Sequence, residues 1–387
     1  RELSPTELAH RFIAYLLQHY GNDADITGLL DWHEIWVIPI ANPDGRKLAE
    51  RGLLHRKNVN NSAGSLCDWY APDAYALYHS GVDINRNASF YWGYSGSSQN
   101  PCAQTYRGTS PASEPEQQAL EGLMASIFTS RRGSALDVPA PPETPGVVIT
   151  LHSWGNLVMW PWGLGDQPPP NTEGLATLGT KMATYNGYTA CQAGPCLDLA
   201  SGTTDDWAYG VLGVASYTFE VGPPPGSPCG DFMPSYACVE GFWQQNLPAL
   251  LYAARVARAP YSLAYGPDVL NLTAAVNGNE VEINATINDV NNGGQAIAGA
   301  IFTLGAPPWA GSLALPMTSV NGLWDEPVEA VRAHFNVARM PSGHQLLYIQ
   351  GQDKEGNWGP VGATYVDIPS RPPTPAARLY LPLWFHE

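Results

Sequence analysis

The sequence predicts a mixed, twisted α/β sheet covered by helices on both faces, followed by an all-β sandwich. Three observations carry this. Val147-Val148-Ile149-Thr150-Leu151 is a nearly unbroken apolar run, the pattern of a strand buried on both faces of a sheet. Amphipathic helical stretches alternate with such strands up to about Val256. From Asp268 to about Ile368 only alternating strand patterns remain, separated by Asn/Gly turns.

The helices and strands follow in order. Ser4-Pro5-Thr6-Glu7 reads as a capping box with Pro at the first helical position, opening a helix that stops at Gly21. A short helix at about Asp25–Asp31 precedes a strand over Glu34–Ile40, which Asn42-Pro43-Asp44-Gly45 closes as a turn. Residues 46–80 read as loop. Ser113-Glu114-Pro115-Glu116 is a second capping box, opening a helix to about Ser130. After the strand ending at His152 come a helix over Asn171–Asn186, a Gly/Ser/Thr/Asp-rich loop over 191–210, a strand Val214–Glu220 and a helix Glu240–Val256. The expected units are residues 1–258, a sandwich over 259–369, and a Pro-rich linker with an apolar tail over 370–387.

Composition narrows the function. The formal net charge of −16 argues against nucleic acid and anionic membrane as partners. No run of about 18 apolar residues offers a transmembrane helix. Six cysteines, an even number without metal-type spacing, fit an oxidised, secreted protein. Arg1-Glu2-Leu3 enters the first helix with no leader before it, so a cut N-terminus is expected.

Two strands end in titratable side chains, His152 and Glu220, where open α/β sheets build their sites. A strand-end histidine that only satisfies a backbone group is the competing reading of His152 taken alone. Gly81-Val82-Asp83-Ile84-Asn85-Arg86-Asn87 adds an acid, amides and an arginine within seven residues.

Set together, Asn42-Pro43-Asp44-Gly45, Arg56-Lys57-Asn58, Asp83-Ile84-Asn85-Arg86-Asn87, Leu151-His152-Ser153, Asp206-Trp207 and Thr218-Phe219-Glu220 resemble the zinc carboxypeptidases of the A, B and T type over residues 1–257. The resemblance implies a Zn²⁺ cofactor held by two histidines and a glutamate, with water in the fourth position. Glu2 matches the glutamate ligand and His152 one of the histidines. The other histidine would fall two residues before Arg1. His10, His19, His33, His55, His79, His334, His344 and His386 match no ligand position and are expected on the surface or on helix faces.

The remaining roles carry over in the same way. Glu220 matches the carboxylate that takes a proton from the water and returns it to the leaving amine. Arg56 matches the cation that stabilises the developing oxyanion. Asn85 and Arg86 match the pair that grips a terminal carboxylate, and Arg1, the residue before Glu2, is expected to bind substrate as well. Asp83 matches the carboxylate that orients a zinc histidine.

Two positions bear on substrate. Asp198 stands where the family carries a mobile tyrosine, and it cannot donate a phenolic hydrogen bond. Tyr209 is nearby but matches a scaffold position. Asp205 matches the base of the pocket for the terminal side chain, where a carboxylate favours Lys or Arg. A bridge between Cys67 and Cys102 resembles one in the animal enzymes. Cys191–Cys196 and Cys229–Cys238 are then local pairs within one of fifteen connectivities.

The expected function is a secreted metallocarboxypeptidase acting on peptide or protein C-termini. A murein-peptide or amide hydrolase on the same scaffold, and a non-catalytic peptide-binding protein, are the alternatives. The sandwich carries no ligand motif and its partner is unknown; Gly356-Asn357-Trp358-Gly359 reads as a hairpin turn.

Overall fold

The computed structural model describes residues 1–62, 67, 80–133, 136–338, 340 and 342–370. Its N-terminal part holds helices α1 (Leu3–His19), α2 (Ala24–Trp32), α3 (Pro43–Ala49), α4 (Pro115–Ile127), α5 (Thr172–Asn186), α6 (Ala193–Cys196), α7 (Thr204–Trp207), α8 (Ala237–Val256) and α9 (Pro260–Leu263). Strands β1 (Val147–His152), β2 (Leu157–Trp160), β3 (Thr189–Gln192) and β4 (Ala215–Glu220) form one sheet in the order β1-β4-β2-β3. β1 runs parallel to β4, and β2 runs antiparallel to β4 and parallel to β3, so the sheet is mixed.

Helices cover both faces of this sheet. On one side Leu8 and Phe12 of α1, Leu175 and Leu178 of α5 and Phe242 and Leu250 of α8 bury against the strands. On the other, Met124 of α4 and Trp207 of α7 pack with Ala88 and Val214. The parallel β1–β4 register sets His152 beside Glu220, and Thr150 beside Thr218 with their hydroxyls 2.6 Å apart.

Several local expectations are corrected. Residues 34–40 do not form a strand: no ladder pairs them among the described residues, and Trp36, Ile38 and Ile40 are exposed while Ile35 and Val37 lean on the core. A cavity of about 490 Å³ separates this segment from β1, lined by Ile35, Val37, Ile149, Leu151, Met124 and Leu250. β1 consequently pairs on one side only among the described residues, and its side chains are half-buried along its whole length rather than fully enclosed. An apolar run alone does not make a strand, because backbone groups in an extended segment need a neighbour to bond.

Asn42 starts α3 instead of closing a turn: its Oδ1 accepts the Gly45 N–H at 2.9 Å and Pro43 takes the first helical position. The capping boxes are not formed either. α1 begins at Leu3 with Ser4 buried inside its first turn, and α4 begins at Pro115 after Glu114, whose side chain makes no cap bond. The pair Cys67–Cys102 and the local pairs Cys191–Cys196 and Cys229–Cys238 are all disulfide-bonded.

Residues 268–368 fold as two antiparallel sheets. One is β5 (Asp268–Asn277), β6 (Glu280–Asn288), β10 (Val328–Asn336) and β9 (Thr318–Ser319), in that order. The other is β12 (Gly362–Ile368), β11 (Gly343–Asp353), β7 (Ile297–Leu304) and β8 (Leu315–Pro316). Strict alternation of buried and exposed residues along β10 supplies one inner face, and Ile283, Ile287, Phe302, Phe335 and Leu347 close the core between the sheets. Strands β7, β8, β9 and β10 add to the four expected from the sequence.

The sandwich seats on the helical side of the N-terminal unit. Tyr365 donates to Thr27 at 2.8 Å, and Ala363 N donates to Asp25, which also binds Arg255. Gly28 of α2 admits the Tyr348 ring: a Cβ there would stand 2.8 Å from it. Lys181 of α5 is buried at the junction, donating to Asp268 and, at 2.6 Å, to Asn292. The apolar tail expected over 379–385, like His79 and His386, lies outside the described residues.

Candidate functional site

The site lies at the C-terminal ends of β1 and β4 and is joined by the start of α1. Glu2 is the residue before α1; its Oε2 is 2.9 Å from His152 Nδ1 and accepts Ser153 N–H at 3.2 Å. Arg56 reaches both Glu2, at 3.7 Å, and Asp83, at 2.9 Å. Burial works against the Glu2 carboxylate, but His152 and Arg56 outweigh it and bring its pKa down to about 2. Burial likewise opposes the His152 imidazolium, and Glu2 overcomes it, raising His152 to about 9.

The Asp83 carboxylate accepts from Arg56 Nε at 2.9 Å and from the Asn85 N–H at 3.2 Å. The contact exists because Asp83 caps a single 3₁₀ turn, Ile84–Arg86, that presents Asn85 and Arg86 to the cleft. Asn85 Nδ2 is 3.5 Å from His152 Nε2, and its Oδ1 accepts Thr204 N–H at 3.2 Å. Arg86 donates from Nε to Gly96 O at 3.0 Å and from Nη1 to Asn85 O at 2.7 Å. Burial pulls its guanidinium below the usual range, while Asp83, Asp205 and Asp198 act the other way.

Glu220 stands beside His152 in the β1–β4 register, and burial raises its carboxyl to about 7. Asp205 is buried on α7 with Oδ2 accepting Thr218 Oγ1 at 3.1 Å. Asp198 is exposed in the loop after α6. Tyr209 is fully buried and bonded to Asn171, a scaffold residue as its position suggested. Arg1 turns aside: its guanidinium lies 3.9 Å over the Phe232 ring and bonds Gln104 at 3.0 Å. His55 is buried rather than on the surface, with Nε2 2.9 Å from Asn58 O.

The structure thus brings Glu2, His152, Arg56, Asp83, Asn85, Arg86 and Glu220 into one cleft. It adds contacts that no sequence motif assigned: Thr218 Oγ1 on Asp205, Thr204 N on Asn85, and the Gly163 and Leu164 amides on Asp206. Thr218 was legible, since strand alternation puts it on the same side of β4 as Glu220. The backbone donors carry no residue signature and were not.

As a zinc site, the described residues fall short. Glu2 Oε2 and His152 Nδ1 converge as two donors would around one metal, but no group of three or more His, Cys, Asp or Glu able to hold a metal occurs among the described residues. A catalytic zinc takes three protein ligands and a water.

The chain is similar to known carboxypeptidases. Human carboxypeptidase A1 is 32% identical over 218 residues, covering 54% of this chain and 45% of that protein. Bovine carboxypeptidase B is 29% identical over 217 residues, covering 54% and 46%. The chain therefore spans about half the length of the curated relatives it matches. In fold it is similar to thrombin-activatable fibrinolysis inhibitor (TM-score 0.52, 22% identity, 66% of this chain and 59% of that one). The bovine form in complex with tick carboxypeptidase inhibitor gives a TM-score of 0.51 at 22% identity, over 65% and 77%. A family model described as zinc carboxypeptidase matches residues 1–249, the segment that contains every residue of the cleft. On that match, the chain belongs to the zinc carboxypeptidase family.

Proposed function

We propose that the cleft binds the free C-terminus of a peptide and belongs to a zinc-dependent exopeptidase that removes the terminal residue. The observation that carries this is the placement of the Asn85–Arg86 turn against His152, with Glu220 on the neighbouring strand. A guanidinium and an amide side by side suit a carboxylate, which accepts in two directions. Zinc would supply polarisation of the scissile carbonyl and an acidic water. Arg56, kept charged chiefly by Asp83, would meet negative charge on the carbonyl oxygen. Glu220, titrating near 7, suits a group that takes a proton and gives it back at neutral pH.

Asp205, a buried carboxylate that follows the cleft residue Thr204 and accepts from Thr218, supports a preference for terminal Lys or Arg. Three disulfides and the lack of a helix long and apolar enough to cross a membrane, among the described residues, support secretion.

The two-donor metal site favours a second reading, a protein that binds C-termini without cleaving them. One experiment separates these readings. Peptides ending in Lys, Arg, Phe or Leu, free or amidated, are incubated with the chain and zinc, and released residues are identified by mass spectrometry. Release from free Lys and Arg ends supports the exopeptidase; release of Phe or Leu instead removes the basic preference. Cleavage of amidated peptides points to an amide hydrolase, and carboxylate-dependent binding without release supports the non-catalytic reading.

A further inference from the structure

Arg86 is held from behind by a chain of contacts that ends at a buried acid. The Asp206 side chain is fully enclosed on α7. It accepts the Gly163 N–H at 3.0 Å on Oδ1 and 3.2 Å on Oδ2, and the Leu164 N–H at 3.1 Å on Oδ2. Those two residues form the loop that follows β2. The outward carbonyls of the same loop are taken by two other segments: Leu164 O by Ser95 Oγ at 2.7 Å, and Gly163 O by Ala200 N at 2.8 Å. Ser95 is further tied to Ser201 through its own N–H, at 3.0 Å, and carbonyl, at 2.8 Å.

The next residue, Gly96, gives its carbonyl to Arg86 Nε. Its backbone is left-handed (φ +56°), and a Cβ there would stand 1.5 Å from Leu199 O, so residues 197–200 press directly on this carbonyl's residue. Glycine is required by both conditions. The bonds to Gly96 O and Asn85 O orient the guanidinium plane and leave the second Nη1 N–H and both Nη2 N–H groups to a ligand.

We propose that Asp206 is a positioning residue for Arg86, acting through Leu164, Ser95 and Gly96 to set the angle at which the guanidinium meets a terminal carboxylate. The proposal rests on reading Arg86 as the carboxylate anchor. Planar, bidentate recognition is sensitive to that angle, since two parallel bonds must form together. A buried carboxylate facing two backbone N–H groups is a stiff support for the loop, and losing it leaves both donors unpaired.

The test needs no turnover. Binding of benzoyl-Gly-Lys and of its C-terminal amide is measured by calorimetry on the full chain in EDTA, for wild type, Arg86→Gln, Asp206→Asn and Ser95→Ala. Wild type should prefer the free carboxylate, and Arg86→Gln should abolish the preference. Asp206→Asn should weaken binding of the free acid by about tenfold or more while leaving the amide unchanged, because only the former uses the guanidinium angle. Ser95→Ala cuts the relay without disturbing the buried acid and should shift the same discrimination in the same direction, which decides the matter if Asp206→Asn does not fold. If wild type and Arg86→Gln bind both probes alike, the anchor reading itself fails, and the proposal with it. If Arg86→Gln behaves as expected but the Asp206 and Ser95 variants keep wild-type discrimination, or lose affinity for both probes equally, the positioning role is overturned.

Discussion

Glu2 Oε2 and His152 Nδ1 stand 2.9 Å apart although 150 residues separate them in the chain. The contact draws the start of α1 onto the end of β1 and defines the floor of the cleft. It joins a carboxylate to an imidazole that would both turn to a metal, yet two donors hold a divalent ion poorly. Elemental analysis of the 387-residue chain after exhaustive dialysis should therefore find well under one zinc per chain. Near-full occupancy would show that a third donor reaches this pair from outside the described residues.

Thr218 Oγ1 donates to the buried Asp205 carboxylate, so the carboxylate points in a fixed direction. Replacing it by Asp205→Asn keeps the shape and removes the charge. Affinity for peptides ending in Lys should fall by on the order of a hundredfold relative to those ending in Leu. Equal affinity of both variants for the two peptides, measured side by side, would remove Asp205 from specificity.

Lys181 is a buried charge that crosses between the two units, bonded to Asp268 of β5 and to Asn292. It is buried beneath the rings of Tyr185 and Tyr252, each 5.5 Å from its Nζ. Lys181→Met leaves Asp268 without its partner and should cost about 3 kcal/mol in chemical denaturation. A loss below about 0.5 kcal/mol would mean the pair behaves as a surface one.

Asp289 is fully buried in the sandwich with Oδ2 accepting Gln295 N–H at 2.7 Å; among the described residues neither its Oδ1 nor Gln295 Oε1 has a hydrogen-bond partner. Burial, reinforced by Asp353, raises its pKa from 3.8 to about 6. The folded state thus binds the proton more tightly than the unfolded one. The stability from the protonated form is complete below about pH 4 and is lost as pH rises through 6. Asp289→Asn removes the buried charge while keeping an acceptor for the Gln295 N–H and should raise stability at pH 7.5 by about 1 kcal/mol. That gain should shrink towards pH 5, as followed by melting temperature; a gain independent of pH would contradict the assignment.

Much of the architecture was present in local pattern. The apolar run of β1, the strand-end positions of His152 and Glu220, and the alternation through the sandwich all survive folding, because hydrophobic periodicity and burial are read from neighbouring residues. Asn42-Pro43 shows the limit of such reading: the same residues signal a turn or a helix start, and packing selected the helix. Residues 34–40 show it again, since strand propensity without a pairing partner leaves an extended segment beside a cavity.

The partners are what tertiary structure decided. Asp83 pairing with Arg56, Asp206 holding the Gly163 and Leu164 amides, and Lys181 buried against Asp268 each depend on contacts 27 to 87 residues apart. The choice of three disulfides among fifteen connectivities is of the same kind, settled when packing brought the Cα atoms of each pair to 5.3–6.0 Å. A residue's type says which bonds it can make; only the folded chain determines which group stands close enough to make them.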